Sequence, residues 1–176
     1  MTQLHVAHTA DLDAAARAAA RDLLFEVFDD MTDEDWEHCL GGLHTLAYDG
    51  SDLIGHASVI QRRLVHGGRA LRTGYVEGVA VRAGHRRRGV GAAMMAELER
   101  VIRGAYDIGA LGTTDDGEPF YLARGWQLWR GASWAMTPDG VRRTADDDGA
   151  IYVFPNRADL DLDGDIMCAY RPGDVW

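Results

Sequence analysis

The chain contains no lysine. All eighteen basic residues among its 176 are arginine, which excludes a Schiff-base enzyme, a pyridoxal enzyme and a phosphate loop built on lysine. Cysteine is nearly absent as well, with only Cys39 and Cys168. Two such residues make neither a disulfide framework nor a metal-ligand spacing, so a reducing, cytoplasmic setting without a bound metal is expected. No run of eighteen apolar residues occurs, and Met1-Thr2-Gln3-Leu4-His5 lacks the basic start and apolar stretch of a signal peptide. Nothing is therefore expected to span or be threaded through a membrane.

Acid is plentiful: 28 Asp and Glu against 18 arginines give a net charge of −10. The acids cluster at residues 29–37, at 146–148, and in the alternating set Asp159, Asp161, Asp163 and Asp165. Such a field repels nucleic acid and attracts cations. Any one cluster also fits an ordinary solvated surface. Three of them in a small chain make a cationic ligand worth considering.

The length fits one domain over residues 1–176. Leu4–His8 reads as a strand, followed by an alanine-rich helix from an Asp11 cap to Phe28. Thr32 opens a second helix with Asp35 in a capping-box position, and Gly41-Gly42 ends it. Strands are expected at Leu43–Tyr48, Leu53–His66 and Ala70–Val81, joined by Asp49-Gly50 and Gly67-Gly68 turns. Gly89 opens an amphipathic helix carrying Val90, Met94, Leu98 and Val101. A strand Ile108–Leu111, a helix Glu118–Arg124 and strands Gln127–Met136, Ile151–Phe154 and Asp165–Tyr170 follow. Thr137–Gly149 reads as a polar loop and Arg171–Trp176 as an extended tail. The pattern describes an α/β chain with a mixed sheet and helices on both faces.

The most informative stretch runs from the apolar strand Val76–Val81 through Arg86-Arg87-Arg88-Gly89-Val90-Gly91. Glycines at 89 and 91 let the backbone approach a ligand where first-turn N–H groups point outward. Those N–H groups and the helix dipole favour an anion, and three arginines add charge-assisted donors for phosphate oxygens. A basic turn salt-bridged to the acidic surface is the competing reading. Glu77 sits among Val76, Val79 and Val81, which desolvate its carboxylate and make it a candidate general base; a solvent-facing strand carboxylate is the plainer alternative.

Arg86, Gly89 and Gly91 match the Q/R-x-x-G-x-G/A signature, and here the sequence resembles the GNAT superfamily of N-acetyltransferases. The resemblance implies a central mixed, mostly antiparallel sheet flanked by helices, and acetyl-coenzyme A as co-substrate. It implies that Val79 and Val81 pair with the pantetheine and that Arg86, Arg87, Arg88, Gly89, Val90 and Gly91 hold the pyrophosphate. Further segments, among them Asp35-Trp36-Glu37-His38, Arg124-Gly125-Trp126, Asp146-Asp147-Asp148-Gly149 and Gly173-Asp174-Val175-Trp176, look like aminoglycoside 2′-N-acetyltransferases.

By that resemblance Tyr121 donates a proton to the departing thiolate; otherwise it is an ordinary core tyrosine. Asp30, Asp35, Glu77, the Gly78 backbone, Asp146, Asp147, Asp174 and the terminal carboxylate of Trp176 would contact a polycationic aminoglycoside, and relatives imply a homodimer. An acetyltransferase of another amino sugar or a polyamine stays open, as does a non-catalytic acyl-coenzyme A sensor, which would need neither Glu77 nor Tyr121.

Overall fold

The computed structural model describes residues 2–176. The chain divides into two compact units, each drawn from two stretches: Met1–Ile60 with Val76–Val101, and Gln61–Tyr75 with Ile102–Trp176. Strands β3 (Asp52–His66) and β4 (Arg69–Val81) and helix α3 (Val90–Ala105) run through both.

In the first unit β1 (Thr2–His8), β2 (Leu43–Asp49) and the start of β3 form an antiparallel meander, with a bulge at Ala47/Tyr48. Residues 53–59 of β3 are all buried, as expected of a strand covered on both faces rather than one. Helix α3 lies over Gly55, where a Cβ would stand 3.0 Å from Met94 and 3.1 Å from Val90. Trp36 packs on the next residue, His56, from the other face. Trp36 belongs to α2 (Asp33–His38), which shares a core with Leu23 and Leu24 of α1 (Ala14–Val27) and with Leu46, Leu53 and Ala80 of the sheet. Helices thus cover both faces.

The cap of α1 is Asp13, whose side chain accepts from the Ala16 N–H at 2.7 Å, not Asp11, which falls in a short 3-10 turn at Thr9–Asp11. The capping box of α2 forms as the sequence suggests. The Thr32 hydroxyl accepts from the Asp35 N–H, and the Asp35 carboxylate accepts from the Thr32 N–H at 3.0 Å.

The second unit holds β5 (Ile108–Gly112), α4 (Glu118–Leu122), β6 (Gln127–Leu128), β7 (Ser133–Thr137), β8 (Gly140–Arg143), β9 (Ile151–Pro155) and β10 (Ile166–Ala169). One run of neighbours is β6-β9-β5-β4 and another is β3-β10-β7-β8. Only the β4–β5 and β10–β7 pairs are parallel within these runs, so the sheet is mixed and mostly antiparallel. The expected single strand Gln127–Met136 is two. The chain leaves β9 after Trp129 and joins β10 at Ser133, while the N–H groups of Arg130 and Gly131 both donate to Leu162 O at 2.9 Å. Gly131 permits this because a Cβ there would fall 1.8 Å from Gly164 O. The expected loop Thr137–Gly149 contains β8 and a 3-10 turn, Ala145–Asp147.

The α2 cap gives a direct check on this description. Thr32→Ala removes one half of the reciprocal pair and costs about 1 kcal/mol, lowering the melting temperature by roughly 2–4 °C. Thr32→Ser keeps the hydroxyl and should melt within about 1 °C of the parent. Equal melting of all three proteins would mean the box contributes nothing.

Candidate active site

The centre of β4 is not a regular strand. Gly78 has a φ of 57°, a left-handed conformation that only glycine adopts without cost. A Cβ at this position would meet Cys39 Sγ at 2.8 Å, Leu24 Cδ1 at 3.1 Å and His56 Cε1 at 3.3 Å. The position is therefore closed to side chains by backbone and by space. Two successive β4 carbonyls are met by β3 side chains: Glu77 O accepts from Ser58 Oγ at 3.4 Å, and Gly78 O accepts from His56 Nδ1 at 2.8 Å. Glu77, Gly78 and Val79 are each half-buried, so the irregular segment has one side on the core and one toward solvent.

From Val81 the chain is tied down on its way to α3. The Arg82 N–H donates to Ile54 O at 2.9 Å, and its guanidinium reaches both oxygens of Glu26 at 3.2 Å. Arg86 Nε turns back to donate to Val81 O at 2.9 Å, closing the loop on the strand that precedes it. Arg87 follows with a φ of 62° and Gly89 with 82°. Arg87 is the one non-glycine residue with a positive φ among the described residues, a conformation that costs about 1–3 kcal/mol and concentrates at ligand sites. The hydrogen-bond ladder of α3 begins with the Ala93 N–H donating to Gly89 O at 2.9 Å. The N–H groups of Val90, Gly91 and Ala92 precede that ladder and form the positive end of the helix. Val90 itself is buried, so its side chain anchors the helix and only its backbone is offered. Arg87 and Arg88 are exposed. This donor set fits a pyrophosphate: fixed N–H groups, a strained loop and two mobile cations.

The second unit holds Tyr121, Asp146, Asp147, Asp174 and Trp176. Tyr121 in α4 is buried, edge-on to the rings of Phe120 and Trp126. Burial pushes its hydroxyl up to about 12, although the Arg124 charge opposes the shift. It therefore holds its proton at neutral pH, as a proton donor must. The indole of Trp176 is buried and donates to Thr144 Oγ1 at 2.9 Å, while the Trp176 N–H donates to Asp174 at 3.2 Å. Residues 171–176 are thus a fixed element rather than an extended tail. Arg62 holds Val175 O at 2.6 Å, and Arg171 holds Trp176 O at 2.7 Å.

Beside this element the three successive aspartates separate by environment. Asp148 is clamped by Arg143 and by the Ser133 N–H and hydroxyl, and the Arg143 bonds lead in holding it down to about 2. Asp147 is pushed up, first by burial and then by the negative charge of Asp174; a hydrogen bond from Thr144 opposes the shift, and Asp146 and Asp148 add to it. Asp147 and Asp174 place two negative charges near one another, and Asp174 also accepts from the Trp176 N–H. Asp30 lies on the exposed turn after α1, whereas Asp35 is spent partly on the α2 cap and lies 3.9 Å from His38. Among the described residues no group of three or more His, Cys, Asp or Glu is arranged to hold a metal. None of their helices is long and apolar enough to cross a membrane.

A family model described as an acetyltransferase (GNAT) domain matches residues 9–128, more than half of the chain. The protein belongs to the GNAT acetyltransferase family. A relative from Mycolicibacterium fortuitum, named aminoglycoside 2′-N-acetyltransferase, is 45% identical over 98% of this chain and 93% of its own length. Among solved structures, Eis1 from Mycobacterium abscessus matches 76% of this chain with a TM-score of 0.63 at 20% identity. The chain spans only 33% of that longer protein. Escherichia coli ElaA matches 88% of this chain and 99% of its own, with a TM-score of 0.61 at 17% identity. At these identities the two structures speak to fold alone.

Sequence reasoning about this GNAT acetyltransferase missed the pair behind Gly78, His44 and His56. Both are fully buried, and His44 Nδ1 lies 3.0 Å from His56 Nε2. The available signal was a histidine inside each of two apolar strand runs, but the run gives no sign of which face or partner it meets. Burial is the leading cause that lowers both rings to about 4; His56 and His8 add to it for His44, and the Gly78 bond opposes it for His56.

An unfolded histidine titrates near 6.5, so between pH 6.5 and 4 the unfolded chain binds more protons than the folded one. Stability is then fully present above pH 6.5 and is lost as pH falls toward 4, on the order of 3 kcal/mol for one such ring. Urea unfolding should show a lower midpoint at pH 5 than at pH 7. A midpoint unchanged over that interval would contradict the neutral buried pair.

Proposed function

We propose that this GNAT enzyme transfers the acetyl group of acetyl-coenzyme A to the 2′-amine of an aminoglycoside. The near full-length relative of that name supports the substrate class. That relationship carries the reading; in the structure, Asp147 and Asp174 put negative charge near one another beside Trp176, a locality that attracts a polycation. The neighbouring Asp148 already has Arg143 and needs no ligand.

Acetyl-coenzyme A, when bound, supplies an activated thioester. The N–H groups of Val90 and Gly91, with Arg87 and Arg88, hold its pyrophosphate, while Arg86 and Gly89 shape the loop. Val79 and Val81 offer backbone groups to the pantetheine arm. Asp146, Asp147, Asp174 and Trp176, with Asp30, Asp35 and the Gly78 backbone, are assigned to the acceptor. An aminoglycoside amine is mostly ammonium at neutral pH, and Glu77 takes its proton so that a lone pair is available. Tyr121, protonated at that pH, gives a proton to the departing sulfur. The products are an amide and a free thiol. We assign these roles to one catalytic domain working as a homodimer in the cytoplasm. The two buried free thiols, Cys39 and Cys168, fit a reducing compartment.

Thiol release from acetyl-coenzyme A over an amine panel tests this reading. Tobramycin and gentamicin types with a 2′-amine should be turned over, and kanamycin types with a 2′-hydroxyl should not. Turnover confined to simple polyamines would move the substrate elsewhere. Glu77→Gln keeps the shape of the side chain but takes no proton, so kcat should fall by roughly 10²–10⁴. An unchanged kcat at neutral pH removes Glu77 from the mechanism.

A further inference from the structure

The Gly78 carbonyl ends a buried chain of hydrogen bonds whose direction chemistry alone decides. A carbonyl only accepts, so His56 Nδ1, 2.8 Å away, carries the proton. In the neutral ring Nε2 is then the acceptor, and the proton between the two rings sits on His44 Nδ1. The other nitrogen of His44, Nε2, accepts from Thr9 Oγ1 at 2.7 Å, and that hydroxyl oxygen accepts from the Gly41 N–H at 2.9 Å. Every ring nitrogen has a use, and the series Gly41–Thr9–His44–His56–Gly78 points one way. Trp36 borders the His56 ring with centroids 6.1 Å apart. With both ring nitrogens bonded, the His56 ring has one preferred orientation.

A buried polar series of this kind is costly unless it fixes something. What it fixes is the peptide between Glu77 and Val79, the two residues assigned to the amine and to the pantetheine. We infer that His56 is a positioning residue for acetyl transfer: oriented by His44 and Thr9, it pins the Gly78 carbonyl and sets the direction of the Glu77–Val79 backbone. The inference rests on the proposed roles of Glu77 and Val79, but the hydrogen bond itself does not. The coenzyme phosphates are assigned to a different segment, residues 86–91. Losing the His56 bond should accordingly spare binding of the carrier and harm the transfer step.

Two substitutions separate this from plain packing. In His56→Asn the amide nitrogen takes the place of Nδ1 and still donates to Gly78 O, although His44 loses its acceptor. His56→Leu fills the site and donates nothing. Both lose stability, because His44 Nδ1–H is stranded in each. Both are assayed well below their own unfolding midpoints.

Misplaced catalytic groups cost up to about 10²-fold in rate, so the Leu variant should lose at least about tenfold in kcat, with coenzyme A binding within about twofold of the parent. The Asn variant should stay within about threefold of the parent kcat despite its lower melting temperature. A Leu variant with the parent kcat, or an Asn variant as slow as Leu, overturns the inference. If the parent protein acetylates no amine, the functional reading fails by itself, and hydrogen exchange still decides the positioning claim. Exchange of the Val79 amide should quicken by at least about tenfold in Leu and little in Asn. Unchanged exchange in the Leu variant would show that His56 fixes nothing there.

Discussion

The constraint on which the rest of the first unit depends is the left-handed peptide at Gly78. A regular β4 would place Glu77, Gly78 and Val79 in a continuous ladder, with side chains alternating across the sheet. The positive φ interrupts that alternation and turns one carbonyl inward to His56. The side chains of Leu24 and Cys39 press on the glycine from α1 and from the end of α2, so a Cβ there would have to displace them as well as adopt the left-handed backbone. The break is held by packing from one side and by hydrogen bonds from the other. Functional irregularity in a strand persists when it is over-determined in this way.

A second strained point lies a few residues on. Arg87 adopts a positive φ without being glycine, and its loop is fastened by Arg86 to Val81 and by Arg82 to Glu26 and Ile54. Rigid attachment on both flanks keeps the free N–H groups of α3 aimed before any ligand arrives, which reduces the ordering cost of binding an anion. The segment from Glu77 to Ala92 is therefore a single preorganised run. The residues proposed as base, carrier strand and anion site, with the break among them, follow one another in sixteen residues of sequence.

Much of this was readable without coordinates because it is local. The α2 capping box, the Gly89 helix start and the β2 to β4 boundaries all rest on short-range chemistry, and the structure places them within a residue or two. The loop ahead of α3, with its glycine at residue 89, was legible for the same reason. Long-range consequences were not. Gln127–Met136 looks like one strand because nothing local says that Gly131 must admit Gly164. His44 and His56 are twelve residues apart and read as core, since only the pairing of β2 with β3 makes them neighbours. The tail, Arg171–Trp176, reads as an extended end, yet Arg62 of β3 reaches Val175 O and Arg171 turns back onto Trp176 O.

The acids of the second unit give the chemical account its direction. Asp148 is neutralised internally, while Asp147 and Asp174 repel one another and Trp176 is locked beside them through Thr144. An acidic locality of this kind attracts a cation. The most direct measurement is the position of the acetyl group in the product formed from tobramycin and acetyl-coenzyme A, read by two-dimensional NMR of the isolated compound. The account predicts a single product acetylated on the 2′-nitrogen. An acetyl group on any other amine, or a mixture without preference, would contradict it.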